Sequence, residues 1–255
     1  MNQADRPENL SLTDVGATSA SVSVVVPTYN EAPNLPELAK RLFSLGFPEL
    51  RLVIVDDSSP DGTADVARRL SHEYHGSVEV IQRPGKQGLG TAYLAGFARA
   101  LEAGPEYVVQ MDADLSHAPE DVPRMLRLLE HSDVVIGSRY IKGGGIDADW
   151  SLWRRLLSSF ANVVIRAIAG LKVRDATSGF KAYRSPALRS LALGGLRCKG
   201  FGFQAEVAHA CQRKGYTVTE HPIIFTDRAH GSSKISLNIA LEAIWRLAFL
   251  RLRRM

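Results

Sequence analysis

From Ser21 onward, short runs of β-branched residues alternate with segments in which apolar residues recur every three or four positions. The runs are typical of buried strands and the recurring positions of amphipathic helices. Their alternation predicts an α/β fold with a mostly parallel central sheet flanked by helices. Five strands are predicted, at Ser23–Pro27, Leu52–Asp56, Val78–Gln82, Tyr107–Met111 and Val134–Gly137.

The segments between and after these strands complete the pattern. Leu35, Leu38 and Leu42 fall on one face of a predicted helix, and Val122, Met125 and Leu129 on one face of another. After Gly145 the pattern is less regular. The elements predicted there are a helix near Trp150–Ala169, a loop near Asp175–Gly179, a helix near Phe203–Lys214 and a strand near Thr217–Phe225.

Composition limits the classes of protein that fit. The 255 residues are 45% hydrophobic and 23% charged, which suits one compact domain with a full core. The net charge of +4 favours phosphate-bearing small molecules or an anionic membrane over duplex DNA, so no nucleic-acid partner is expected. Two cysteines are too few for a disulfide framework and show no metal-ligand spacing, which indicates a reducing, cytoplasmic compartment.

Three segments are expected along the chain. Residues 1–20 are polar, lack the apolar stretch of a secretory signal and are predicted to be flexible. Residues 21–236 form the α/β domain. Residues 237–255 have the pattern of an amphipathic basic helix, which suits either an anionic membrane interface or packing against the sheet. No segment has the apolar length of a transmembrane helix, so any membrane association would be peripheral.

Polar residues follow four of the five predicted strands, at 27–31, 56–62, 112–114 and 138–140. Ligands of an open parallel sheet bind outside the carboxyl ends of its strands, so a charged ligand is expected at this edge. The first strand is not followed by G-x-G-x-x-G, which disfavours a dinucleotide-binding dehydrogenase.

Two aspartates, Asp112 and Asp114, come directly after the fourth predicted strand. Carboxylates at this spacing can share a divalent cation whose coordination is completed by diphosphate oxygens. In the structural alternative, one of them caps the next helix and the other is solvated. Asp56 or Asp57, at the neighbouring strand end, could accept hydrogen bonds from a base or ribose, which favours a nucleotide-diphosphate site.

Five motifs, in order along the chain, resemble a known family. They are V-P-T-Y-N-E at 26–31, V-D-D-S-S-P-D-G-T at 55–63, M-D-A-D-L-S-H at 111–117, G-S-R-Y at 137–140 and D-A-T-S-G-F at 175–180. Together they resemble the dolichyl-phosphate and polyprenyl-phosphate mannose synthases, which are inverting glycosyltransferases of family two. The resemblance covers about residues 22–236 and implies a single nucleotide-binding GT-A domain.

The resemblance implies a role for each matched position. Contacts to the donor nucleotide sugar are implied at Pro27, Tyr29, Glu31, Asp56, Asp112, Asp114, Arg228 and Lys234. The implied cofactor is Mg²⁺ or Mn²⁺, held by Asp112 and Asp114; Ser116 stands where many relatives carry a metal-contacting Gln. The resemblance also implies the acceptor phosphate at Arg139, Arg154 and Ser158, and catalytic roles for Asp114, Arg139 and Arg154.

The acceptor residues also make chemical sense. Arg154 and Ser158 are four positions apart and therefore share a helical face, although an ordinary amphipathic helix with a solvated arginine has the same spacing. A phosphate monoester with a second pKa of about 6 is largely ionised at neutral pH, so a phosphate acceptor needs no general base.

The implied activity is inverting transfer of mannose from GDP-mannose to a polyprenyl phosphate, which gives polyprenyl-phosphate β-mannose. The enzyme would lie on the cytoplasmic face of a membrane, alone or with a membrane-embedded partner protein. Two alternatives stay open: UDP-glucose or another nucleotide sugar as the donor, and a non-catalytic nucleotide-sugar-binding scaffold. Charged residues at both the donor and the acceptor positions disfavour the scaffold.

Overall fold

The computed structural model describes residues 20–147, 150–192, 196, 200 and 202–227. The strands are β1 (Val22–Thr28), β2 (Leu50–Asp56), β3 (Val78–Gln82), β4 (Tyr107–Gln110), β5 (Val134–Ser138), β6 (Gly145–Ile146), β7 (Lys181–Arg184), β8 (Val218–Pro222) and β9 (Ile224–Phe225). The helices are α1 (Leu35–Phe43), α2 (Thr63–Glu73), α3 (Leu89–Glu102), α4 (Val122–Leu128), α5 (Leu152–Ala169), α6 (Ser185–Ala192) and α7 (Gly202–Arg213). A short 3-10 turn at Pro119–Asp121 precedes α4.

Seven strands form the central sheet in the order β3-β2-β1-β4-β7-β5-β8, and β6 pairs with β9 in a separate small sheet. The central pairings are parallel except those of β7, which runs antiparallel to β4 and β5. The start of β7 therefore lies at the edge where the parallel strands end. This direction brings the loop at 175–180 to the edge at which a ligand was predicted.

Helices cover both faces of the sheet, as the alternation predicted. Successive residues of β1 point to opposite sides: Val24 and Val26 join a core with α1 and α4, whereas Val25 packs with α3 and α7. Helix α3 lies directly on the strands at Gly96, where a Cβ atom would stand 2.3 Å from the Val25 Cγ1 atom. The glycine thus allows a close helix-to-sheet contact.

Parts of the C-terminal half differ from the prediction. Strand β7 and helix α6 were not predicted, and the single strand expected at Thr217–Phe225 is wrong because it divides into β8 and β9. Pro222, which has no N–H group to donate, ends β8. Residues 1–19 and the predicted helix at 237–255 lie outside the described residues. Within the described part of the chain, no helix combines the length and the apolarity that a bilayer crossing requires.

Candidate active site

The predicted site residues after β4 and β5 share one charged cluster. His117 is buried beside this cluster, and the charges of Asp112, Asp114 and Arg139 all act on its imidazole. Burial lowers the pKa of His117, and the two aspartates oppose that effect. Asp112, Asp114 and Arg139 therefore face a common region at the edge of the sheet.

The turn after β4 is fixed by its own side chains. The Tyr93 hydroxyl of α3 donates to Asp112 Oδ1 at 2.9 Å, and the Asp112 backbone N–H donates to His117 Nδ1 at 3.2 Å. Ser116 donates to Asp114 Oδ1 through its backbone N–H at 3.1 Å and its hydroxyl at 2.5 Å. Leu115 between them has a φ of +61°, a conformation that few non-glycine residues adopt. The carboxylates are thus held in place by a constrained turn.

The loop at 175–180 contacts both Asp112 and Arg139. The Arg139 guanidinium donates to both carboxylate oxygens of Asp175, at 2.7 and 2.8 Å, and to the Thr177 hydroxyl at 2.7 Å. Burial would raise the pKa of Asp175, but the Arg139 charge and the hydrogen bonds from Arg139 and Thr177 together lower it. At the other end of the loop, Gly179 lies so close to Asp112 that a Cβ atom would be 3.0 Å from Oδ2.

On the nucleotide side, the acidic pair after β2 makes hydrogen bonds within the protein. Asp56 is fully buried and accepts from the Thr28 hydroxyl at 3.1 Å and from the Ser59 backbone N–H at 3.0 Å. Asp57 forms a buried ion pair with Arg83. The donor contact implied for Asp56 stays a prediction, and Asp57 has a structural partner instead of an open carboxylate.

The remaining donor positions lie at the same edge. Pro27 is in β1, and Glu31 is buried after it, where its carboxylate accepts from the Asn34 side-chain amide at 2.8 Å. The Lys86 ammonium lies 4.5 Å from the centre of the Tyr29 ring. Arg228 and Lys234, which the resemblance places over the donor diphosphate, lie outside the described residues.

Arg154 and Ser158, the two other positions at which the resemblance implied the acceptor phosphate, are on α5. The Arg154 guanidinium stacks 3.6 Å from the centre of the Trp150 ring and pairs with Asp227 at 3.3 Å. The Ser158 hydroxyl is 2.9 Å from the hydroxyl of Tyr140, the residue that follows Arg139. Phe225 of β9 contacts the rings of His117 and Trp150. These contacts link the acceptor helix to the turn that carries the aspartates.

Helix α5 also presents an apolar surface. Six large side chains on this helix are more than half exposed: Leu152, Trp153, Leu156, Leu157, Phe160 and Val163. Trp153 has 82% of its surface exposed and Leu157 68%. Such a contiguous apolar patch is unusual on a protein that stays in water. The patch is in the same helix as Arg154 and Ser158.

Sequence reasoning missed three residues of this cluster. Asp175, Lys181 and Tyr93 make contacts that depend on the antiparallel direction of β7 and on the packing of α3. Asp175 was inside a motif, so its position could have been found, but its pairing with Arg139 spans 36 residues and leaves no periodic signal.

Comparison with known proteins assigns the chain to a family. Residues 23–192 match the model of glycosyl transferase family 2. The chain belongs to glycosyl transferase family 2. It is 42% identical to an undecaprenyl-phosphate mannosyltransferase of Micrococcus luteus over 88% of this chain and 90% of that protein. It is 41% identical to a polyprenol monophosphomannose synthase of Mycolicibacterium smegmatis over 88% of this chain and 84% of that protein.

The fold of this family 2 member agrees with that assignment. A solved glucosyl-3-phosphoglycerate synthase of Mycobacterium tuberculosis, in complex with Mn²⁺, UDP and glucosyl-3-phosphoglycerate, superposes with a TM-score of 0.65. The match covers 97% of this chain and 84% of the synthase at 19% identity, which establishes a common fold. The single GT-A domain that the motifs implied is confirmed.

Proposed function

We propose that this family 2 glycosyltransferase moves mannose from GDP-mannose to a polyprenyl phosphate, with inversion at the anomeric carbon. The observation that carries the proposal is the placement of partly buried Asp112, buried Asp114 and two arginines beside a helix with an exposed apolar face. The names of the two relatives, which are 41 and 42% identical, support the same sugar and the same class of acceptor.

Asp112 and Asp114 fit a divalent cation on the chemistry of their own surroundings. Asp112 follows a strand buried along its whole length, and within the described residues no cationic side chain forms an ion pair with it. Asp112 itself is partly buried, and a carboxylate without a cationic partner is suited to bind a cation, for which oxygen ligands favour Mg²⁺ or Mn²⁺. Such an ion would stabilise the negative charge that develops on the departing nucleoside diphosphate. The complex of the structural neighbour with Mn²⁺ supports this assignment.

The described residues supply few further metal ligands. No cluster of three or more His, Cys, Asp or Glu side chains suited to a metal is present among them. The donor diphosphate would therefore complete the coordination, which makes metal binding and donor binding interdependent. We assign Tyr29, Glu31 and the backbone at Pro27 to the nucleoside end of the donor.

Arg139, Arg154 and Ser158 would hold the acceptor phosphate. Arg154 is partly exposed, and its partner in this structure is the carboxylate of Asp227. A phosphate dianion could replace that carboxylate and accept charge-assisted hydrogen bonds from the guanidinium. Because the acceptor is already ionised, these residues need only to orient it and to reduce its repulsion by the donor diphosphate.

The apolar face of α5 gives this acceptor a physical route to the site. A polyprenyl phosphate keeps its chain in a membrane, so the site must approach the bilayer surface. Exposed Trp, Leu and Phe side chains beside arginines are typical of an interfacial helix. We therefore place the enzyme peripherally on a membrane, on its cytoplasmic face, with α5 toward the lipid. The basic helix predicted at 237–255 and a membrane-embedded partner remain part of this proposal.

The test offers purified protein, Mn²⁺ and a short polyprenyl phosphate a panel of labelled nucleotide sugars that includes GDP-mannose and UDP-glucose. Label extracted into organic solvent from GDP-mannose alone is the expected result. Preferential transfer from UDP-glucose would contradict the donor assignment. Nucleotide-sugar binding without transfer to any acceptor would favour the scaffold alternative.

The acceptor assignment is tested by Arg154→Ala. This change is expected to raise the KM for the polyprenyl phosphate at least tenfold and the KM for the nucleotide sugar less than threefold. Arg213→Ala removes an exposed arginine from α7 and is the matched control, for which both constants should stay as in the wild type. An equal rise in both KM values for Arg154→Ala would refute the assignment.

A further inference from the structure

Lys181, the first residue of β7, is a lysine whose side chain has no exposure to solvent. Its ammonium donates to the Ser178 backbone carbonyl oxygen and, at 2.5 Å, to Gln204 Oε1 of α7. Lysine is rarely buried without a paired carboxylate, and within the described residues no ion pair to Lys181 is formed. Its burial therefore requires an explanation beyond packing.

The two acceptors of Lys181 belong to a buried polar layer beneath the active-site edge. Gln110 of β4 donates through Nε2 to Gln204 Oε1 at 2.7 Å and to the Gly179 carbonyl oxygen at 3.1 Å. The Tyr183 hydroxyl donates to Gln110 Oε1 at 2.9 Å. Lys181 and Gln110 thus hold two successive carbonyl groups of the 175–180 loop from below.

This loop touches both charged groups of the proposed chemistry. Gly179 is against the Asp112 carboxylate, and Asp175 makes two hydrogen bonds to the Arg139 guanidinium. A shift of the loop would therefore move the metal carboxylate and the acceptor arginine relative to each other. Shifts on the scale of 1 Å in such geometry can cost about a hundredfold in rate.

We propose that Lys181 is a positioning residue, whose hydrogen bonds to Ser178 and Gln204 fix the 175–180 loop and thereby the placement of Asp112 and Arg139. The inference depends on the proposed role of Asp112 in metal binding. It assigns a task to the D-A-T-S-G-F motif, none of whose residues had a proposed contact with donor or acceptor.

The electrostatic surroundings agree with this role. Burial lowers the pKa of Lys181 to about 7, although the Asp175, Cys211 and Asp112 side chains act in the opposite direction and Arg139 adds to the lowering. Burying the charged form of this amine therefore costs free energy in the folded protein. A side chain that only filled space there would be apolar, so the retained amine points to its two hydrogen bonds.

The experiment titrates Mn²⁺ alone into the whole protein and records the electron paramagnetic resonance spectrum of the bound ion. Lys181→Met keeps an unbranched side chain that is one atom shorter and removes its donors. We expect about tenfold weaker Mn²⁺ binding and an altered zero-field splitting, with a Tm within a few degrees of the wild type. Lys172→Met, at an exposed lysine before β7, is the matched control and should bind Mn²⁺ as the wild type does.

A second variant covers the case in which Lys181→Met does not fold. Gln204→Met removes the other end of the layer and should weaken Mn²⁺ binding about threefold. The inference would be overturned if the folded variants bound Mn²⁺ with the affinity and spectrum of the wild type. It would also be overturned if a variant lost Mn²⁺ affinity only at temperatures at which it is partly unfolded, and regained that affinity when cooling restored its fold. If the wild type binds Mn²⁺ in a Lys181-dependent way but transfers no sugar to polyprenyl phosphate, the inference holds and the proposed function fails.

Discussion

Gly179→Ala tests whether the 175–180 loop controls the position of the Asp112 carboxylate, the proposed metal ligand. The added Cβ atom would be 3.0 Å from Asp112 Oδ2 and 3.1 Å from Oδ1, whereas ordinary contacts begin at 3.4 Å. The carboxylate would therefore have to retreat by about 0.4 Å, against the hydrogen bond from Tyr93. The loop cannot readily retreat instead, because Gln110 and Lys181 hold the carbonyl groups of Gly179 and Ser178.

The magnitude follows from that displacement. If a 1 Å misplacement costs about a hundredfold, a displacement of about 0.4 Å scales to roughly a sixfold loss. We expect a loss of this size in kcat and in Mn²⁺ affinity, measured by steady-state transfer assays and by Mn²⁺ titration. Gly85→Ala is the matched control, because a Cβ atom there meets nothing within 4 Å. Unchanged turnover and Mn²⁺ affinity in folded Gly179→Ala would refute the reasoning.

Three further outcomes are expected. Gly96→Ala places a Cβ atom 2.3 Å from Val25 Cγ1. This overpacking should lower the free energy of unfolding, measured by urea titration, by roughly 1–3 kcal/mol. A change below about 0.5 kcal/mol would contradict the close contact between α3 and the sheet. The pKa of Lys181 is about 7 in the folded protein and 10.5 ordinarily. Between pH 7 and 10.5, Lys181 is therefore protonated in the unfolded chain and largely deprotonated in the folded protein. Stability should therefore rise with pH across this window, by up to about 1.4 kcal/mol per pH unit, and Lys181→Met should remove that slope. Equal slopes in both proteins would argue against the lowered pKa of Lys181. Asp114→Asn should reduce Mn²⁺-dependent transfer more than about a hundredfold, matching the effect of a chelator on the wild type, and retained metal dependence would count against its role.

Strands whose residues are apolar because they are buried were predicted from the sequence. The runs that became β1, β2, β4 and β5 are apolar and β-branched because both of their faces are covered. Strand β7 is equally buried, but its sequence K-A-Y-R begins with a charged residue and has no apolar run. A lysine at a fully buried position resembles a loop residue in sequence, so the strand could not be recognised from composition.

The location of the site was predictable for a topological reason. Parallel strands end at one edge, so polar residues after several strands had to meet there, and Asp112, Asp114 and Arg139 do share one charged cluster. The ion pairs that other aspartates at this edge form within the protein were not predictable in the same way. The Asp57–Arg83 and Asp175–Arg139 pairs join residues 26 and 36 positions apart, and only the folded chain brings their charges together.

The carboxylates at this edge of the sheet differ in whether a positive charge or a hydrogen-bond donor within the protein compensates them. Asp57 and Asp175 are each neutralised by a buried arginine, and fully buried Asp56 is satisfied by hydroxyl and backbone donors. Asp112 accepts a neutral hydrogen bond from Tyr93 and, within the described residues, forms no ion pair. Asp112 is partly buried and lacks the cationic partner that compensates Asp57 and Asp175, so a cation is favoured at Asp112 over Asp56, Asp57 and Asp175. The sequence predicted a metal at Asp112 and Asp114 from their spacing, and the partners that folding supplies separate Asp112 from the carboxylates that are already compensated within the protein.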